Sequence, residues 1–139
     1  MEKLIIKTKK KREVVDITEE VEGVLKDSKT ATICHLFLIH TTAALTTADL
    51  DPGTDLDMLD AFEEMIPPHQ SEARYGAGKI KYRHPHNPNH VPDHILSSLI
   101  GTSLMLPVEN RKLVLGTWQR VVLFEFDGPR ERQVIVTSW

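Results

Sequence analysis

Hydrophobic and polar positions alternate at the start of the chain. Leu4, Ile6 and Thr8 interleave with Lys3, Ile5 and Lys7, a period of two that predicts a strand. The period then lengthens. Ile17, Val21, Val24 and Leu25 recur at helical spacing behind Asp16, with Glu19 three residues after it, the layout of a capping box. A helix is predicted over 17–27. Thr30 to Ile39 (TATICHLFLI) is apolar at both parities and reads as a central strand covered on both faces. Its alternation puts Cys34, Leu36, Leu38 and His40 on one face and Ile33, His35, Phe37 and Ile39 on the other.

A small-residue strand is predicted from Thr41 to Thr47. Leu56, Leu59, Phe62 and Ile66 form a helical stripe that ends at Pro67-Pro68. Residues 67–90, rich in proline and histidine, read as one long loop. Pro92 suits a helix start, Ile95, Leu96, Leu99 and Ile100 give that helix an apolar face, and Gly101 can end it. Strands follow at Thr102–Val108, Leu113–Leu115 and Trp118–Phe126. The turn Asp127-Gly128-Pro129 leads into a last strand, Arg132–Trp139. Strands with inserted helices and no βαβ rhythm predict an antiparallel α+β fold, one domain over 1–139.

Composition narrows the function classes. The chain has 139 residues, 40% hydrophobic and 27% charged, with a formal net charge of −3. That charge supplies no general attraction to nucleic acid or anionic lipid. The basic run Lys7 to Arg12 reads as a solvated strand end, because it lacks aromatic interleaving. No apolar run approaches the length of a membrane helix. The one cysteine, Cys34, excludes an intramolecular disulfide and points to a reducing, cytoplasmic setting, with the thiol an inert core group.

Four of the seven histidines, His84, His86, His90 and His94, crowd into 84–94. His84 and His86, two apart, share a face if extended. His94 lies in the first turn of its helix beside small residues. His40 ends an apolar strand next to Thr41 and Thr42. Each also has an ordinary reading, as a capped core ring or a solvated loop. Taken together, three neutral imidazoles can hold zinc and leave it an open position. Glu125 shares a face with Val121 and Leu123. It is expected to be desolvated with a raised pKa suited to proton transfer, unless Arg130 or Arg132 pairs with it. Those arginines can equally clamp an anion. Trp118 can stack on a flat ring or fill a core.

Three blocks, in this order, resemble the YjbQ family. They are His40-Thr41-Thr42-Ala43-Ala44 with Asp51-Pro52; Tyr82-Arg83-His84 with Pro92-Asp93-His94-Ile95 and Gly101-Thr102-Ser103; and Leu115-Gly116-Thr117-Trp118-Gln119 with Glu125, Arg130 and Arg132. The resemblance implies a curved, mainly antiparallel sheet with three helices and a homotrimer with sites near subunit contacts. It also implies secondary thiamine-phosphate synthase activity, which couples a pyrimidine to a thiazole with release of pyrophosphate. His40, His84 and His94 then become ligands of a divalent metal, zinc first. Glu125, Arg130 and Arg132 become catalytic, and Thr41, Thr42, Trp118 and Gln119 contact a small anionic substrate. His86 and His90 match no family position. The family's acidic residues at two places are absent, with Asp49 and Asp93 as substitutes. A metal-dependent hydrolase suits the same residues, and the alternative is a non-catalytic metal- or metabolite-binding protein. At this length the chain is far short of a TIM barrel.

Overall fold

The computed structural model describes residues 1–71 and 78–139. Part of the long loop read over 67–90 therefore lies outside the described residues. Eight strands and three helices run in the order β1 (Glu2–Lys7), β2 (Glu13–Asp16), α1 (Thr18–Leu25), β3 (Ile33–Leu38), β4 (Ala43–Ala48), α2 (Thr54–Met65), α3 (Val91–Ile100), β5 (Ser103–Glu109), β6 (Lys112–Leu113), β7 (Arg120–Glu125) and β8 (Glu131–Ser138). A single 3-10 turn, Pro88–His90, leads into α3. No helix among the described residues is long and apolar enough to cross a membrane.

The strands form two antiparallel sheets. One has the order β1-β8-β3-β5-β6 and the other β2-β7-β4. The antiparallel α+β expectation holds, and β2 is a strand that periodicity did not predict. Its four residues (Glu13-Val14-Val15-Asp16) are too few to show a period, and pairing with β7 makes them a strand. Asp16 does not cap α1 as a box. Its carboxylate accepts from the Thr18 amide and hydroxyl on one oxygen and from Arg120 Nε on the other.

Strand β7 is covered on both faces. Val121 and Leu123 meet Leu36, Leu38, Val134 and Val136 of the larger sheet, along with Ile17, Val21 and Leu25 around α1. Val122 and Phe124 face the other way, onto Leu59 of α2 and Leu96 of α3, where Phe62 packs edge-on against Phe124 at 5.2 Å. Alternation in β3 matches the prediction for one face, since Cys34, Leu36 and Leu38 are buried. The thiol is pushed up to about 11 by that burial, which keeps it unreactive. The other face departs from prediction. Phe37 is 44% and Ile39 49% exposed, and Ile5 and Met105 are exposed beside them. Among the described residues no helix or strand covers Phe37 and Ile39 on the outer face of the larger sheet, where His35 bonds Ser103 Oγ at 2.7 Å.

Three of the connections between the sheets lie at one end of the molecule. There β1 leaves for β2, β3 leaves for β4, and β7 leaves for β8 through the Asp127-Gly128-Pro129 turn. Gly128 is wedged in that turn. Its amide donates to the Lys11 carbonyl, and a Cβ there would overlap the Lys10 carbonyl oxygen and lie 2.9 Å from Thr8 Oγ1. The segment after β1 is thereby pressed against the turn, and α3 begins beside it.

Candidate functional site

Glu125 is the last residue of β7 and its side chain is fully buried (0% exposed). Its two oxygens accept from Arg132 Nε and Nη2, from the Asp127 amide at 3.0 Å and from Thr8 Oγ1 at 2.8 Å. Arg132, 2% exposed at the start of β8, also donates through Nη2 to Thr42 Oγ1 (2.8 Å) and to the Thr42 carbonyl. Burial pulls the Glu125 pKa up, but these donors outweigh it and hold the carboxyl below its ordinary value. Of the two readings of Glu125, the one that pairs it with an arginine holds, and the raised pKa of an unpaired carboxylate does not arise. Glu125 stays ionised and braces Arg132, and a hydroxyl predicted to touch substrate, that of Thr42, belongs to the same brace.

Asp127 forms a second charged node. Its Oδ1 accepts from Lys11 Nζ (2.7 Å) and its Oδ2 from Arg130 Nη2 (2.8 Å), with His90 Nε2 3.5 Å away. Although burial opposes it, the two cations hold its pKa down to about 2. Behind it Arg12 Nη2 donates to Asp93 Oδ1 at 3.1 Å. Asp93 is 1% exposed, and burial raises its pKa despite Arg12. Arg12 Nη1 and Asp93 Oδ2 are buried with no hydrogen-bond partner. The basic run read as solvated is therefore divided. Lys7 and Lys11 stay exposed, Lys11 reaching Asp127 from the surface, while Arg12 turns inward to Asp93.

In front of these nodes opens a cleft of about 600 Å³, lined by His40, Thr41, Thr42, His90, His94, Asp127, Arg130 and Arg132 among others. Three backbone contacts define how its histidines present themselves. The Gln133 amide donates to His40 Nε2 at 2.9 Å, so that nitrogen carries no proton and Nδ1 is an N–H donor. The Asn87 amide donates to His84 Nδ1 at 3.1 Å, which makes Nε2 the N–H of that ring. His94 is the reverse. Its Nδ1 donates to the Thr41 carbonyl at 2.9 Å and leaves an acceptor lone pair on Nε2. Burial, then the Arg132 charge, lowers the His40 pKa and favours its neutral form.

This arrangement tests the three-imidazole metal centre. The His84 and His94 rings stack 5.5 Å apart, yet the lone pairs of His40 and His84 are already taken by backbone amides. Among the described residues no three of His, Cys, Asp or Glu come together as a metal-ion group. The residues do not fit a His40/His84/His94 cage in this conformation. His86 stands edge-on to His84 at 6.4 Å, outside the cleft.

The carboxylates make acid stability a direct readout of these nodes. Glu125 and Asp127 have depressed pKa values, so their stabilisation is complete above their unfolded values (4.5 and 3.8) and is lost as pH falls through the folded ones, for Asp127 towards about 2. His40, also depressed, adds stability above 6.5 that is lost below it. Asp93 has the opposite sign, since its raised pKa favours the folded state as it takes up a proton. Urea midpoints should therefore fall modestly from pH 7 to 5.5 and steeply below 4.5. Asp127→Asn should flatten the most acidic part, and an unchanged acid limb in that variant would contradict the assignment.

The family described as UPF0047 protein YjbQ-like matches residues 2–139. The chain belongs to the YjbQ/UPF0047 family. A UPF0047 protein of Archaeoglobus fulgidus is 37% identical over 135 residues, covering 97% of this chain and 98% of its own. The UPF0047 protein YugU of Bacillus subtilis is 38% identical over 131 residues, covering 93% and 91%. The crystal structure of an uncharacterized YjbQ/UPF0047 protein from Clostridium acetobutylicum matches all of both chains, with a TM-score of 0.83 and 32% identity.

The blocks that carry the YjbQ resemblance do not all meet within one chain. His40, Thr41, Thr42, His90, His94, Arg130 and Arg132 line the cleft. Trp118 and Gln119 lie beyond the opposite end of β7, roughly 20 Å away at about 3.3 Å per strand residue. Trp118, 70% exposed, borders a separate hollow with Asp49 and Asp51, and Gln119 Nε2 donates to Thr47 Oγ1. From the sequence His90 shows as a member of the histidine cluster with no role, and Thr8 and Asp127 carry no site signal. Asp127 was visible only as part of a turn motif, and Thr8 only as the end of a strand.

Proposed function

We propose that this cleft binds a small anionic molecule and that His94 transfers a proton within it. The observation that carries the reading is the Thr41 carbonyl on His94 Nδ1, which orients the ring and leaves the Nε2 lone pair as a base on a residue that lines the cleft. Arg130 and the His40 N–H can stabilise negative charge that develops on a substrate oxygen or a leaving group. Arg132, gripped by Glu125 and Thr42, backs this cationic wall from below, and Arg130 supplies its exposed cation. Thiamine-phosphate formation, in which pyrophosphate departs, is one reaction such a wall would assist. Hydrolysis of a phosphate or carboxylate ester is another. The experiment is turnover of both kinds of substrate by wild type and His94→Ala. Equal background rates throughout, with ligand binding intact, would return the cleft to a non-catalytic binding role. Zinc enters the reading through rearrangement of His40 and His84 away from their backbone donors, and elemental analysis of purified protein, wild type against His84→Ala, decides it.

Self-association to a homotrimer belongs to the same reading, and so does a reducing, cytoplasmic setting for the buried, unpaired Cys34. What supports assembly is the outer face of the larger sheet. There Phe37, Ile39, Ile5 and Met105 stand exposed together, more apolar than single scattered surface residues. Sedimentation at micromolar concentration is expected to give about three times the 15.8 kDa chain mass. A monomer under those conditions would defeat the assembly reading and leave the cleft chemistry standing.

A further inference from the structure

The polar cleft has a neighbour of similar size that its chemistry does not use. A second hollow, about 620 Å³, is lined by Phe37, Leu38, Ile39, Ser97, Ser98, Gly101 and Thr102, together with His40, Thr41 and His94. Ile39, His40, Thr41 and His94 thus form a wall common to both spaces. The two halves differ in character. The first holds Asp127, Arg130, Glu131 and Arg132, whereas among the described residues no Asp, Glu, Lys or Arg lines the second.

Much of the polarity of the second hollow is already engaged. Ser97 Oγ donates to the Ala43 carbonyl at 2.7 Å, and the carbonyls of Gly101 and Thr102 accept from the Leu45 and Leu38 amides at 2.9 and 2.8 Å. What remains open is hydrocarbon from Phe37 and Ile39, the side chains of Ser98 and Thr102, and a floor at Gly101 where a Cβ would meet nothing within 4 Å. A heteroatom-rich group placed there would lose water without regaining its hydrogen bonds, whereas a hydrocarbon group would gain from the transfer. Pockets of this volume are usual for small ligands, with apolar walls and few polar groups fixing orientation.

We infer that the ligand of this cleft has two parts, a phosphate-like oxyanion held on the Arg130 side and a hydrocarbon body, aryl in size, held between Phe37 and Gly101, with the bond between them beside His94. The inference rests on the anionic-cleft reading above and adds the class of body that the anion carries. It also assigns Ser98, exposed on α3 at the edge of the second hollow, as a residue that limits the body's size.

Calorimetric titration with methylphosphonate and phenylphosphonate separates the two ideas, because the head group is the same and neither offers an ester bond to cleave. Wild-type protein should bind phenylphosphonate at least about tenfold more tightly than methylphosphonate. The phenyl compound alone should shift the Gly101 and Thr102 amide resonances. Ser98→Phe should abolish the difference and leave methylphosphonate affinity unchanged, which also shows that the variant is folded. Arg130→Ala should weaken both ligands by the same factor. Equal wild-type affinities, or a preference that survives Ser98→Phe, would overturn the apolar half and leave the anion site intact. Failure of both phosphonates to bind wild type would overturn the anion reading itself.

Discussion

Glu125→Ala will cost the folded state about 3–5 kcal/mol, measured as a shift in the urea unfolding curve at fixed protein concentration. The reason is the orphan it creates. Arg132 is 2% exposed and cannot reach bulk water, and its Nε loses its acceptor while Nη2 keeps only Thr42. Thr8 Oγ1 and the Asp127 amide lose an acceptor as well, although Thr8 retains the Arg130 carbonyl. An ionised guanidinium without its carboxylate is the expensive product, and the pair as a whole contributes much less than either truncation suggests. The control is therefore Glu125→Leu combined with Arg132→Met, two apolar groups of similar volume. This double variant should recover most of the loss of the single one. If Glu125→Ala unfolds within 1 kcal/mol of wild type (an order-of-magnitude threshold), the buried pair is not the brace described here.

His94→Ala will lower kcat/KM by about two to four orders of magnitude on any substrate the cleft turns over, the usual range for a positioned acid–base group. Little of that loss should come from folding. His94 is half-buried, and its hydrogen bond to the Thr41 carbonyl lies at the cleft surface. The thermal midpoint should move by only a few degrees, as expected for about 1 kcal/mol. Added imidazole should restore part of the rate to His94→Ala, and a purely structural histidine would show no such rescue. Loss of rate accompanied by a collapsed midpoint would identify His94 as a support for the Thr41 strand end instead.

Much of the scaffold could be read from residues close together in sequence. The alternation that buried Cys34, Leu36 and Leu38 needed nothing beyond strand geometry, and the helix with Leu59, Phe62 and Ile66 on its packed side needed only helical period and a proline stop, although Leu56 of the predicted stripe is 59% exposed. The second face of β3 misled, because Phe37 and Ile39 carry the composition of a covered strand while no element among the described residues covers them. Pairing of Glu125 could be posed but not decided between Arg130 and Arg132. The two lie on either side of the entry to β8, and β7 and β8 belong to different sheets, so no register rule selects between them. The histidine cluster was legible as a cluster, but its chemistry was not. Whether a ring offers a proton or a lone pair depends on what meets its other nitrogen. For His40 that is an amide 93 residues away. Arg12 and Asp93, 81 residues apart, pose the same difficulty for charges that look solvated in sequence.

The wedged glycine has a consequence for how this end of the molecule can vary. With the Lys10 carbonyl where a methyl group would go, residue 128 acts as a fixed shim between the leading segment and the final turn. Thickening it by one carbon would lift Thr8 from Glu125 and Lys11 from Asp127 in the same movement. Two carboxylates that look independent are thus set by one spacing, and drift in the first dozen residues is tied to drift in the last.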